Sequence, residues 1–285
     1  TQGLVGTDYT NAIRLLSNKD DYQFNIIVAP GLTYANTTTQ LDSIVSLAES
    51  RGDCIAVIDL VNYGSTLAGA TTKALSLNTS YGASYWPWVQ MRSATGRNEW
   101  CPASVVIPGV YAFTDAAAAP WFAPAGLVRG GIPGVIQTER RLSKSDRDNL
   151  YAGKVNPIAT FPGTGISIMG QKTLQSKASA LDRVNVRRLL IDLKKFIGDQ
   201  ARTLVFEQNT ISTRNKFLAA VNPYLESVVQ RQGLYAYRVV MDDTNNTADV
   251  VDRNQLIGQI YIQPAKTIEF VVLDFVIEPT GVTFG

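Results

Sequence analysis

The sequence contains no histidine and only two cysteines in 285 residues. Without histidine, Ser-His-Asp and Cys-His catalysis, imidazole-ligated metals and histidine proton shuttles are excluded together. Cys54 and Cys101 lie far apart and form no CxxC or other metal-ligand spacing. Cys54 sits in the apolar run 54–58, which predicts a buried, inert thiol, and nothing in cysteine usage points to an oxidising compartment. No apolar run approaches the roughly 20 residues needed to cross a bilayer, and no signal-peptide pattern is present. The net charge of +2 gives no general attraction to nucleic acid or to an acidic membrane. Internal repeats and low-complexity tracts are absent as well. The chain starts at Thr1 without Met and reads as part of a longer protein.

What is present belongs to a folded protein: 45% hydrophobic and 18% charged residues, enough for one large or two ordinary domains. A helix is expected up to Leu16, and strand 24–29 is stopped by Pro30-Gly31. Leu41, Ile44, Val45, Leu47 and Ala48 mark helix 39–50, closed by Gly52. Strand 54–60 and helix 67–77 follow, and this alternation argues a parallel α/β layer. Run 81–89 holds four large aromatics, and its Pro87 predicts an edge strand or a strand start. The glycine- and proline-rich stretch 129–134 and the charged stretch 139–148 suggest a domain boundary. We therefore expect an α/β part over 1–140 and an α+β part with a mostly antiparallel sheet over 141–285.

Further along, Gly165 to Thr173 comes within one residue of a phosphate-binding P-loop. Gln171 separates Gly170 from Lys172, and 166–169 reads as a strand, so no nucleotide site is expected. Val186, Leu189, Leu190, Leu193, Phe196 and Ile197 recur at helical spacing, with Arg187, Arg188, Asp192, Lys194 and Lys195 on the other faces. That pattern predicts a helix with one side in a core and an exposed basic side for a partner. Strand 203–206 should follow, then two helices meeting at an angle where Asn222 caps and Pro223 starts the second. Strands are expected over 235–241, 256–262 and 267–277, with a turn over 242–247. The last strand is long, apolar and nearly terminal, an edge that proteins keep for strand exchange with a partner.

Five separated stretches together resemble one family. Asn185-Val186-Arg187-Arg188-Leu189 with Phe206-Glu207-Gln208-Asn209 resembles the "N-V-R-R-L … F-E-x-N" signature of contractile tail sheath proteins of the T4-like type. Tyr81 to Val89 resembles the family's "S-Y-G-A-x-Y-x-P-W-V". Pro102 to Asp115 resembles "P-P-S … G-V-Y-A-R-T-D", with Phe113 where arginine is usual; the change removes a possible ion pair and leaves packing intact. Trp121 to Gly126 resembles "V-W-x-A-P-A-G", and Gly153 to Gly165 resembles "G-V-N-P-I … F-P-G-x-G".

The resemblance implies a structural subunit, with no enzymatic activity and no cofactor or metal. Such subunits polymerise as a six-fold helical sheath around a tail tube. Its contraction drives the tube through the host envelope, using energy stored at assembly. The other partners implied are the tail tube, baseplate and tail terminator proteins, without direct nucleic-acid contact or membrane insertion. The location implied is the virion, after assembly in the host cytoplasm. On this reading 1–140 is an incomplete outer or middle sheath domain, and 141–285 is the inner domain. Arg187, Arg188, Lys194 and Lys195 are expected to contact the tube or an adjacent subunit. Ile268, Phe270, Val272 and Phe275 are expected to form an intersubunit arm. A type VI secretion or R-type bacteriocin sheath is an alternative within the class. From other classes, an α/β enzyme using Asp59 and Lys172 and a carbohydrate-binding module using the tryptophans stay open.

Overall fold

The computed structural model describes residues 5–270. Helix α1 (Gly6–Leu16) precedes strand β1 (Ile26–Thr33). Helix α2 (Thr38–Arg51) leads to β2 (Ile55–Asp59), and α3 (Leu67–Leu75) leads to β3 (Gly82–Trp86). The three strands are neighbours and parallel, as strand–helix alternation predicts. Gly52 ends α2 in the left-handed region, φ 69°, with its N–H on the Ala48 carbonyl. β1 runs past the expected stop at Pro30-Gly31 with a register shift between Val28 and Thr33. It can do so because it is the outermost strand of its sheet, where a missing N–H and a left-handed Gly31 are tolerated.

Strands β4 (Val89–Arg92) and β5 (Asn98–Cys101) come next, then helices α4 (Ile107–Ala117) and α5 (Gly126–Arg129) and strand β6 (Val135–Thr138). β5, β4 and β6 form a small antiparallel sheet in that order. Helix α6 (Lys144–Ala152) leads into β7 (Asn156–Phe161) and β8 (Gly165–Ile168). β7 pairs in parallel with β3 and antiparallel with β8, completing the order β1-β2-β3-β7-β8. The boundary expected near residue 140 thus lies inside one hydrogen-bonded sheet. The charged stretch there runs from Lys144 into a helix: Ser143 and Asp146 form a capping box, and α6 buries Leu150. β3 is central rather than an edge strand. Pro87 follows its last paired residue, where no ladder N–H is needed.

Helices α7 (Val184–Arg202) and α8 (Ile211–Gln230) are followed by β9 (Leu234–Val240), α9 (Ala248–Asp252) and β10 (Gln259–Pro264). β9 and β10 pair antiparallel. The expected strand 203–206 is a turn, with Phe206 at φ 71°. α8 passes straight through Pro223, where two helices were expected. Proline inside a helix costs about 3 kcal/mol. Phe217, Val221, Leu225 and Val228 bury one continuous stripe, each contributing about 1.5–3 kcal/mol, so an unbroken helix wins.

Alternate side chains of β2 divide the core. Ala56 and Ile58 face α2 and α3 in one apolar cluster, whereas Ile55 and Val57 join Tyr85, Tyr111, Val184 and Ile191 in another. A third cluster holds Leu189 and Leu193 of α7 with the α8 stripe and Leu234 of β9. α7 therefore contributes to the cluster on the parallel sheet and to that of the β9–β10 unit. Of the run 267–277, residues 267–270 carry no regular structure, and the rest lies outside the described residues.

Candidate functional site

The first turns of α7 are closed in on every side, and residues 184–189 are all buried. The basic face expected to be exposed is therefore split. Arg187 and Arg188 are each 4% exposed, whereas Lys194 and Lys195 are exposed. A helical wheel with one apolar stripe assumes packing on one side; here the sheet, α4 and α8 surround the helix start.

Both guanidinium groups find partners. The Arg187 guanidinium lies 3.9 Å from the Tyr81 ring centroid and donates to Ser80 Oγ at 2.5 Å. Burial is the largest influence on Arg187 and lowers its pKa, with the neighbouring Tyr81 acting against it. Arg188 donates to Asp115 Oδ2 at 2.5 Å and lies 4.6 Å from the Tyr111 ring centroid. Asn185 Nδ2 donates to the Trp121 carbonyl at 3.1 Å. Thus Tyr81, Tyr111, Asp115 and Trp121, from three separate motifs, all converge on the start of α7. Asn156, from a fourth, donates to the Ser84 and Lys172 carbonyls and accepts from the Lys172 N–H, tying β7 to β3 and to the segment after β8.

The residues that suggested an enzyme are occupied structurally. Asp59 is buried and accepts from Ser104 N–H at 3.1 Å and Ser104 Oγ at 2.5 Å. Burial pushes its pKa up to about 6 against the Ser104 hydrogen bonds. Lys172 Nζ donates to the Tyr151 carbonyl at 2.8 Å and lies 4.4 Å from that residue's ring centroid. Among the described residues, Asp59 and Lys172 share no hydrogen-bond partner. Gly170, the P-loop-like glycine, is required by close packing: an added Cβ would lie 2.9 Å from Asn156 Oδ1 and 3.0 Å from Tyr151. Gly163 and Gly165 serve the turn between β7 and β8, with φ 81° and 83°. Burial pushes the Cys54 thiol up to about 12, which suits an inert core residue.

The exposed features lie elsewhere. Lys194 and Lys195 border a groove of about 530 Å³ between α7 and the segment joining α1 to β1, also lined by Lys19, Asp199 and Arg202. Phe206, in the turn after α7, is fully exposed, with Val205 and Ile211 exposed beside it. Its place in the "F-E-x-N" resemblance was the only sequence signal for it. Phe113 is more than half exposed, so its departure from the usual arginine changes surface rather than core. Ile268 and Phe270 are exposed; Val272 and Phe275 lie outside the described residues. Tyr63, Trp88 and Trp100 cluster, with Tyr63 5.1 Å from Trp100 and 6.0 Å from Trp88, but Trp88 Nε1 is committed to the Val61 carbonyl.

The phage tail sheath central-domain model matches residues 2–174, and the phage tail sheath C-terminal-domain model matches residues 176–278. The chain belongs to the phage tail sheath family. It is 34% identical to the tail sheath protein of Vibrio phage KVP40, covering 98% of this chain and 45% of that protein. It is 32% identical to the tail sheath protein of Enterobacteria phage T4, covering 97% and 45%. The chain thus spans about half the length of the curated relatives it matches. Among solved structures, it is similar to the sheath complex of the extracellular contractile injection system PVC in its contracted state. There the TM-score is 0.79 at 26% identity, over 93% of this chain and 74% of that one. The contracted helical sheath of the anti-feeding prophage shares the fold, with TM-score 0.78 at 23% identity over 96% and 76%. The two family models meet near residue 175, just before α7, rather than near 140.

Two predictions concern this buried polar framework. Because the folded-state pKa of Asp59 is raised, its stabilising contribution is complete below about pH 4 and is lost as pH rises through about 6. Asp59→Asn should match the parent near pH 4 and exceed it by about 2–3 kcal/mol at pH 7, read from denaturant melts across pH. Asp115→Ala leaves the Arg188 charge buried and unpaired and should cost about 3–5 kcal/mol. The double change Asp115→Ala with Arg188→Met should recover much of that loss in the same melts.

Proposed function

We propose that this chain is part of the structural subunit of a contractile phage tail sheath. The subunit polymerises as a six-fold helical layer around a tail tube and contracts to drive the tube through the host envelope. Family membership across both sheath models is the observation that carries this reading. Likeness to sheaths in the contracted state supports it. The virion tail is then its location, after assembly in the host cytoplasm, with baseplate and terminator proteins at the polymer ends. The same subunit design would serve an extracellular injection device, but the identities to phage proteins favour a phage tail. A mechanical rather than catalytic role fits the structural engagement of Asp59 and Lys172. Negative-stain electron microscopy of the intact protein should reveal tubes; persistently monomeric protein under conditions that assemble related sheaths would overturn the reading.

Within this role, we assign Lys194 and Lys195, rather than the buried Arg187 and Arg188, to contact with the tube or a neighbouring copy. Exposed charges set register and salt sensitivity more than affinity. Lys194→Glu with Lys195→Glu should weaken assembly and steepen its salt dependence, measured by sedimentation across a salt series. The segment 267–277, with Ile268, Phe270, Val272 and Phe275, is the proposed intersubunit arm, pairing backbone with a neighbour's sheet. Deleting residues 266–285 should leave a folded monomer that cannot polymerise. Loss of cooperative melting would instead place the segment in its own subunit's core.

A further inference from the structure

After β10 the chain leaves the hairpin and crosses to the start of α7. Ala265 N–H donates to the Gly233 carbonyl at 3.1 Å. Thr267 Oγ1 accepts from Asn185 Nδ2 at 3.1 Å. Glu269 accepts from Arg183 Nε at 2.6 Å, Arg183 Nη2 at 2.9 Å and Gln171 Nε2 at 3.2 Å. The intervening Ile268 and Phe270 are 81% and 75% exposed. Polar side chains bound inward and apolar ones turned outward follow the two-residue period of an extended chain.

We propose that the Arg183–Glu269 pair, with Asn185–Thr267, is an anchor for the C-terminal segment. It fixes where the segment leaves the subunit and which side chains it offers to a neighbouring copy. This rests on the reading of 267–277 as an intersubunit arm. An untethered arm would have to order its root on every docking event; an anchored one has that entropy removed beforehand. The anchor also places its load well. Arg183 is the N-cap residue of α7, whose side chains enter two core clusters, so tension on the arm passes into a helix held by both. The pair is stronger than a surface ion pair: it is a two-pronged guanidinium–carboxylate contact, with side chains 27% and 16% exposed. Burial is the largest influence on Glu269 and would raise its pKa, but the hydrogen bonds and charge of Arg183 together with the other donors around the carboxylate outweigh it and hold the group below its usual range. The anchor is therefore ionised at neutral pH.

The decisive variant is Glu269→Gln in the intact protein, which keeps the shape and removes the charge. Lys266 is exposed, and no lysine or arginine lies between it and Gly285, so tryptic cleavage after Lys266 severs the segment at its root and reports the state of that root. We expect an unchanged melting temperature within error for the subunit and roughly tenfold faster cleavage after Lys266. Tubes should be fewer and shorter by electron microscopy. Normal assembly by Glu269→Gln, with assembly lost on deletion of 267–285, would overturn the anchor and leave the arm standing. Normal assembly by the deletion itself would overturn the arm and with it the anchor's role. A large fall in melting temperature for Glu269→Gln would also overturn the proposal, because the pair would then belong to the subunit core.

Discussion

Burial of the first turns of α7 is the constraint on which the other features depend. A helix whose every side is covered cannot keep two arginines unless each has a partner, since an unpaired buried charge costs several kcal/mol. Asp115 and the rings of Tyr81 and Tyr111 meet that requirement. They come from the residue just before β3 and from α4, two places remote in sequence, and the need to reach Arg187 and Arg188 constrains where those elements sit relative to α7. Asn185 adds a third tie, to Trp121. The helix thereby joins the parallel sheet to the α8 and β9–β10 unit as one packed body.

The residues carrying the family resemblance are thus mostly interior. Asn156 staples β3, β7 and the segment after β8, and Gly170 is small because three side chains crowd it. Under the proposed sheath role, a subunit that rotates within a polymer without losing its own fold would have reason to spend its most distinctive residues on internal rigidity. Its changeable contacts can then sit at the periphery, where Lys194, Lys195, Phe206, Ile268 and Phe270 are exposed. Packed interiors are bistable rather than continuously deformable, which would suit the proposed switch between two packings of one polymer.

Local chemistry was legible in the sequence wherever a local rule decided the outcome. The alternation of β1, α2, β2, α3 and β3, the left-handed Gly52, the inert Cys54 and the strand 165–168 follow from periodicity, glycine and proline placement, and apolar runs. The absence of histidine by itself removed whole classes of chemistry. The motifs in their order pointed to the sheath family, even though each alone says little.

Tertiary structure decided whatever depended on how many neighbours an element has. Nothing in residues 182–198 says that a sheet, α4 and α8 all meet there, so the wheel left Arg187 and Arg188 in solvent where packing buries them. The charged run 139–148 reads as a boundary between parts, yet from Lys144 it enters α6, which leads straight into β7 beside β3. Pro223 reads as a break, and only the unbroken apolar stripe along α8 overrides it. Glu269 carries no signal at all in a strand-like run; its role appears once the chain crossing from β10 meets Arg183. Propensity and pattern act over a few residues, whereas burial and charge pairing are summed over every segment the fold brings together, and that sum cannot be read along the chain.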